Sequence, residues 1–162
     1  MIIAHNFRVV LLLISYHFGS KIIFGWFKVK ISTKGRYGMT AMIYLANEYD
    51  KDRFVSLKEI SEKEDISLKY LEKIMLNFKD SDYFISSRGS DGGYKLAKAP
   101  ENYILKDILE KLEGDMKVVS CLDSDVKCNK KENCLSLTLW KDINDLIDDY
   151  LTKKTLKDLI KR

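Results

Sequence analysis

Cys121, Cys128 and Cys134 are the only cysteines in the chain, and they fall within 14 residues. The residues between them, Leu122-Asp-Ser-Asp-Val-Lys127 and Asn129-Lys-Lys-Glu-Asn133, are mostly polar or charged, which predicts a loop. Buried cysteines behave as small hydrophobes and scatter through a core. Three gathered in one exposed loop point to a shared ligand, a metal or an iron–sulfur cluster, or to redox-reactive thiols. Structural zinc sites are closed by four protein ligands and usually contain a C-x2–4-C pair, and this spacing has neither.

The elements that must hold this loop follow from composition and periodicity. The 162 residues are 46% hydrophobic and 32% charged, which fits a soluble globular chain with one core. An odd number of cysteines argues against a secreted disulfide framework and for a reducing cytoplasm. The formal net charge is +4, but the first 28 residues hold Arg8, Lys21 and Lys28 and no acid. Without them 25 basic and 24 acidic residues remain, so any case for nucleic acid rests on where the basic residues lie.

Residues 1–28 stand apart. They carry Val9-Val-Leu-Leu-Leu-Ile-Ser-Tyr16, Ile22-Ile-Phe-Gly-Trp-Phe27 and both histidines, His5 and His17. Neither apolar run reaches the ~20 residues of a membrane span. The composition break at Lys28/Val29 is read as a start codon set too far upstream, with Val29 the true start. A short apolar arm is the alternative.

From residue 29 the pattern is ordered. Tyr37, Ala41, Leu45 and Tyr49, widened by Met42 and Ala46, predict a helix from about Lys34 to Tyr49. Ser56-Leu-Lys-Glu59 reads as a capping box opening a short second helix that ends near Glu64-Asp65. Ser67 is expected to cap a third helix from Leu68 to about Lys79, with Leu71, Ile74, Met75 and Phe78 turned inward. Two short helices behind a longer one make a helix-turn-helix.

Phe84-Ile-Ser-Ser87 and Tyr94-Lys-Leu96, separated by Arg88-Gly-Ser-Asp-Gly-Gly93, predict a β-hairpin with an arginine at its tip. A hairpin directly after a helix-turn-helix is a wing. Pro100 closes the module. A further helix through Ile104, Ile108, Leu109 and Leu112 ends at Gly114. After the cysteine loop, Leu139, Trp140, Ile143, Leu146, Ile147 and Tyr150 predict a long amphipathic helix that Leu156, Leu159 and Ile160 continue.

The expected fold is therefore mainly α with a small β-hairpin. Residues 29–100 form a winged helix-turn-helix. Residues 101–162 form a linker helix, the cysteine loop and a long amphipathic C-terminal helix. The sequence contains no internal repeat and no low-complexity segment.

An α-helix fits the major groove of DNA, where base edges display distinguishable donors and acceptors. Ser67, Lys69, Tyr70, Glu72 and Lys73 form the outward start of the third helix. Glu72 suits a cytosine amino group, and Lys69 and Lys73 suit phosphate or guanine. Arg88 suits a narrow, electronegative minor groove, and Gly89, Gly92 and Gly93 allow close approach to phosphate. Lys30, Lys34 and Arg36 are expected on flanking phosphates. Each residue alone is equally a solvated surface group; the ordered set carries the reading.

Val29-Lys-Ile-Ser-Thr-Lys-Gly-Arg-Tyr-Gly38, Ile66-Ser-Leu-Lys-Tyr-Leu-Glu-Lys73 and Ser87-Arg-Gly-Ser-Asp-Gly-Gly-Tyr94 resemble the signature segments of the Rrf-two family of bacterial transcription regulators. The likeness runs from about Val29 to the C-terminus. It implies a cytoplasmic homodimer, paired through the C-terminal helix, on a partly palindromic double-stranded operator.

Cluster-bearing members hold three cysteines in this same loop. The resemblance therefore implies Cys121, Cys128 and Cys134 as thiolate ligands of a 2Fe–2S or 4Fe–4S cluster that senses iron–sulfur status, redox state or nitric oxide. The spacing is C-x6-C-x5-C, one residue looser in its first gap than the common form. Leu137 stands where some members have a ligating histidine, and Arg36 where others use an acid from the partner chain. Asp123, Asp125, Glu132, a partner acid or an exogenous ligand remain for the fourth position.

A cluster-free regulator controlled by thiol oxidation or a partner protein is the alternative. An enzyme is disfavoured. A thiol oxidoreductase would want C-x2-C, and residues 29–162 contain no histidine for a nucleophile's base. A membrane-tethered interaction protein would need residues 1–28 inserted.

Overall fold

In the computed structural model, residues 31–79, 81–89, 92–123 and 125–160 are described. The expectations for residues 1–28 and for Lys30 lie outside them.

Helix α1, Thr33–Asn47, starts at Ser32, whose side chain accepts from the Gly35 N–H. Ala41, Met42, Leu45 and Ala46 are buried, as the stripe requires. The helix stops short of Tyr49, which opens a 3-10 turn and is exposed. Two devices end it there. The Glu48 carboxylate takes Lys51 and Arg53, and Asp52 adopts the left-handed conformation at φ 44°.

Helix α2, Leu57–Glu64, has the expected serine cap, with Ser56 Oγ accepting from Glu59 N at 3.1 Å. The reciprocal half of the capping box is replaced. The Glu59 carboxylate accepts from Tyr44 Oη at 2.9 Å and from Arg53. A guanidinium offers two charge-assisted bonds where the cap's backbone offers one. Asp65 (φ 51°) ends α2, and Ile66, in the turn between the two helices, is in the core.

Helix α3, Leu68–Met75, runs into a 3-10 turn, Leu76–Phe78. Leu71, Ile74, Met75 and Phe78 are buried. Ser67 occupies the cap position but makes no side-chain capping bond.

Strand β1, Phe84–Ser87, pairs antiparallel with β2, Gly93–Leu96, with Phe84 opposite Leu96 and Ser87 opposite Gly93. Val55 adds a bridge to Tyr94 through two bonds of 2.9 and 2.8 Å, tying the hairpin to the chain ahead of α2. A Cβ on Gly93 would lie 2.3 Å from Val55 O, so this bridge demands a glycine. Under the hairpin, Phe78, Tyr83, Phe84, Tyr94 and Tyr103 stack ring to ring. Tyr103 Oη donates to Tyr83 O at 2.7 Å and accepts from Lys98 N.

Helix α4, Leu105–Glu113, ends at Gly114 with φ 83°. Helix α5, Leu137–Thr152, buries none of its residues. The expected continuation through Leu156 does not occur. The chain turns at Lys153, and Thr155 and Asp158 form a capping box that starts a 3-10 turn. Leu156 then enters the core with no exposed surface, and its N–H donates to Tyr103 O at 3.0 Å. Burying a leucine is worth about 2 kcal/mol, more than an extra helical turn in water offers. One core thus draws on α1, α2, α3, the hairpin base, α4 and Leu156.

Candidate nucleic-acid interface and cysteine loop

The inward stripe of α3 leaves its other face outside. Ser67, Lys69, Glu72 and Lys73 are exposed. Tyr70 is half-buried, its ring edge-on to Tyr37 with centroids 5.9 Å apart. That contact joins the first turns of α1 to the start of α3, so Tyr70 acts at least partly as a strut.

A groove runs between α3 and the hairpin. It is lined by Glu72, Met75 and Lys79 on one side and by Ser86 and Tyr94 on the other. The fold therefore brings the third helix and the wing to a common surface. Lys79 was not among the sequence candidates. It stands just past the 3-10 turn, six residues beyond Lys73, a spacing that leaves it off the face of Lys69 and Lys73, so helical periodicity gave no signal for it.

Arg88 is exposed directly after β1, and Gly89 beside it has φ 116° with open space around its Cα. Gly92 sits against Ser87 O, where a Cβ would lie 2.5 Å away. Gly92 and Gly93 are thus explained by the hairpin's own geometry, and Gly89 by its backbone conformation. On α1, Arg36 is exposed and donates to Thr33 Oγ1 at 3.2 Å, while Lys34 is half-buried.

The loop between α4 and α5 is anchored at both ends. Val118 is buried, and its N–H reaches Asn144 Oδ1 on α5 at 3.4 Å. Lys106 of α4 pairs with Asp148 of α5 at 2.7 Å. Cys121 lies in a 3-10 turn, Ser120–Leu122, and Cys134 ends another, Lys131–Asn133. All three cysteines are free and half-buried.

Cys134 Sγ lies 3.6 Å from Ser136 Oγ, which also accepts from Trp140 Nε1 at 3.1 Å. Hydrogen bonds from the Ser136 hydroxyl and backbone stabilise the thiolate and pull the Cys134 pKa below its ordinary value.

The donor chemistry, three thiols on one loop, suits an iron–sulfur cluster. The arrangement does not. Among the described residues no three Cys, His, Asp or Glu side chains are gathered closely enough to hold a metal ion. Of the candidate fourth ligands, Asp123 accepts from Asp125 N at 3.1 Å and faces Lys117 at 3.8 Å, and Glu132 is exposed. Among the described residues no helix is long and apolar enough to cross a membrane.

A helix-turn-helix with an outward, basic third helix and a hairpin beside it defines a winged-helix DNA-binding protein. Residues 31–162 match the family model Rrf2, described as "Iron-dependent Transcriptional regulator". The chain belongs to the Rrf2 family of transcriptional regulators. It is 32% identical over 132 residues to the HTH-type transcriptional regulator IscR of Pectobacterium carotovorum, covering 82% of this chain and 79% of that one. Its fold matches CymR, the global cysteine regulator of B. subtilis, with a TM-score of 0.67 and 37% identity over 81% of this chain and 95% of that one. The oxidized form of Staphylococcus aureus CymR matches with a TM-score of 0.64 and 34% identity, over 82% and 97% of the two chains.

Proposed function

We propose that this regulator binds a partly palindromic duplex as a homodimer, reading it with the outer face of α3 and the wing, and that the cysteine loop is its sensor. The observation that carries the reading is the groove shared by α3 and the hairpin, lined by Glu72, with Lys69 and Lys73 exposed on that helix and Arg88 exposed just after β1. In this reading Glu72 meets a base edge, Lys69 and Lys73 meet phosphate or guanine, and Arg88 enters the minor groove. Lys34 and Arg36 hold flanking phosphates.

Dimerisation is assigned to α5. Leu139, Leu146 and Tyr150 are 53%, 71% and 60% exposed, an apolar face that a single chain leaves in water. The loop joins α4, packed in the DNA-binding core, to this helix. A change in the loop therefore acts on the spacing of the two recognition helices, by as much as the two loop states differ in affinity for DNA.

Two forms of sensing follow. An iron–sulfur cluster is supported by the donor set and requires the loop to draw its three thiols together. Cluster-free thiol oxidation is supported by the stabilised Cys134 thiolate.

Anaerobic purification with a visible spectrum and iron and sulfide analysis separates the two. Bound iron and sulfide with visible absorption support the first. Colourless, iron-free protein after attempted reconstitution removes it. DNA binding is tested by enriching duplexes from a random pool; failure to enrich any sequence would overturn the regulator reading.

A further inference from the structure

Helix α1 meets the last turn of α4 too closely for side chains on both. A Cβ on Gly38 would lie 2.6 Å from both methyl carbons of Leu112. One on Gly35 would lie 2.1 Å from Glu113 Oε1. These two buried glycines let the end of α4 press against the start of α1.

At that contact Glu113 Oε1 accepts from Ser32 N at 2.9 Å and from Ser32 Oγ at 2.6 Å. Ser32 Oγ in turn accepts from Gly35 N at 3.1 Å. In a capping box, an acid at the third helical residue reaches back to the cap's own N–H. In α1 that residue is Gly35, which has no side chain. Glu113, 81 residues away in sequence, supplies the missing carboxylate. Because the acid comes from another helix, it fixes where the first turn of α1 lies relative to α4, which a local cap cannot do.

We propose that Glu113 is the positioning residue for the DNA-contacting turn of α1, completing the Ser32 cap from α4 and so fixing where Lys34 and Arg36 present their charge. The inference rests on the reading of those two residues as phosphate contacts.

The test uses a duplex enriched from a random pool by the full-length wild-type chain. Affinity is measured across salt concentrations for wild type, Glu113→Ala, Glu113→Asp and Glu113→Gln, with thermal unfolding alongside. Each phosphate contact contributes ~0.9 to the slope of log affinity against log salt, and a dimer carries the Lys34 and Arg36 contacts twice, so Glu113→Ala flattens the slope by about 2–4 and weakens binding about fivefold or more. Glu113→Gln keeps an acceptor oxygen for Ser32 and retains the wild-type slope. Glu113→Asp, one methylene too short, behaves like the alanine variant and carries the measurement if that variant does not fold.

A lowered melting temperature with an unchanged salt slope in Glu113→Ala or Glu113→Asp overturns the proposal, because the contact is then only structural. A glutamine variant as impaired as alanine also overturns it. If the wild type enriches no duplex, the regulator reading fails first and this inference with it.

Discussion

The Arg53 guanidinium forks onto the Glu59 carboxylate, Nη1 to Oε2 at 2.8 Å and Nη2 to Oε1 at 2.5 Å. The same guanidinium donates from Nε to Glu48 Oε2 at 2.7 Å. Arg53 therefore clasps the end of α1 to the first turn of α2. The pair holds Glu59 at a pKa of about 2, well below its ordinary 4.5, chiefly through the Arg53 hydrogen bonds and with help from Tyr44.

A stability window follows from that shift. A carboxylate with a depressed folded pKa stabilises the fold fully above its unfolded value and loses that contribution as pH falls through the folded one. The penalty of Glu59→Gln should thus be constant above about pH 5.5, shrink below pH 4.5 and be nearly gone by pH 2. Partly exposed ion pairs are worth little, so the neutral-pH penalty is about 1 kcal/mol. Urea denaturation of both proteins across pH checks it. A penalty that persists undiminished at pH 2 would contradict the ion-pair account.

Leu156 tests whether the tail closes the core. Leu156→Ala should cost about 2–5 kcal/mol, because the buried site leaves a cavity and the tail loses its anchor. Leu159→Ala, at a 38% exposed position, should cost much less. Urea midpoints for the two variants decide; equal losses would argue against the packing described.

Arg88→Ala should weaken binding to an enriched duplex by about 1–3 kcal/mol, while Glu72→Ala should instead relax the preference at one base position. Gel-shift titration against single-base variants of the duplex separates the two. Unchanged affinity in Arg88→Ala removes the wing from the interface.

Leu146→Asp should convert the proposed dimer to monomer, since it sets a charge in the centre of the exposed apolar face of α5. Sedimentation equilibrium reads the outcome directly. A variant that stays dimeric would place the interface elsewhere.

Cys134 should alkylate at a pH below its ordinary thiol pKa of 9.0, and Ser136→Ala should move that profile upward. Iodoacetamide labelling followed by peptide mapping measures it. Modification should also alter Trp140 fluorescence, because both side chains share the Ser136 hydroxyl. A profile indifferent to Ser136 would sink the idea.

Much of the fold was legible because it is local. The stripes of α1, α3 and α4 are set by residues three and four apart, and they bury as periodicity requires. Gly114 ends α4 at positive φ, and the glycine-rich turn joins the two strands. The tail was not legible. Leu156, Leu159 and Ile160 continue the apolar spacing of α5, and nothing local says that the chain reverses at Lys153. The Val55–Tyr94 bridge was invisible too, because a single bridging residue has no period.

By itself the sequence determined which segments are helices, that a hairpin follows the third one, and that three thiols share one loop. These depend on side chains within a turn or two of each other. Tertiary structure decided who meets whom. Glu59 turned from its own cap to Arg53 because a guanidinium came within reach. Glu113 completed the Ser32 cap across 81 residues because Gly35 left room. The three thiols, close in sequence, are not gathered into a metal-holding set among the described residues, because two 3-10 turns shape the loop that carries them. Neighbours in sequence share a period, but partners in space depend on how the whole chain folds back on itself.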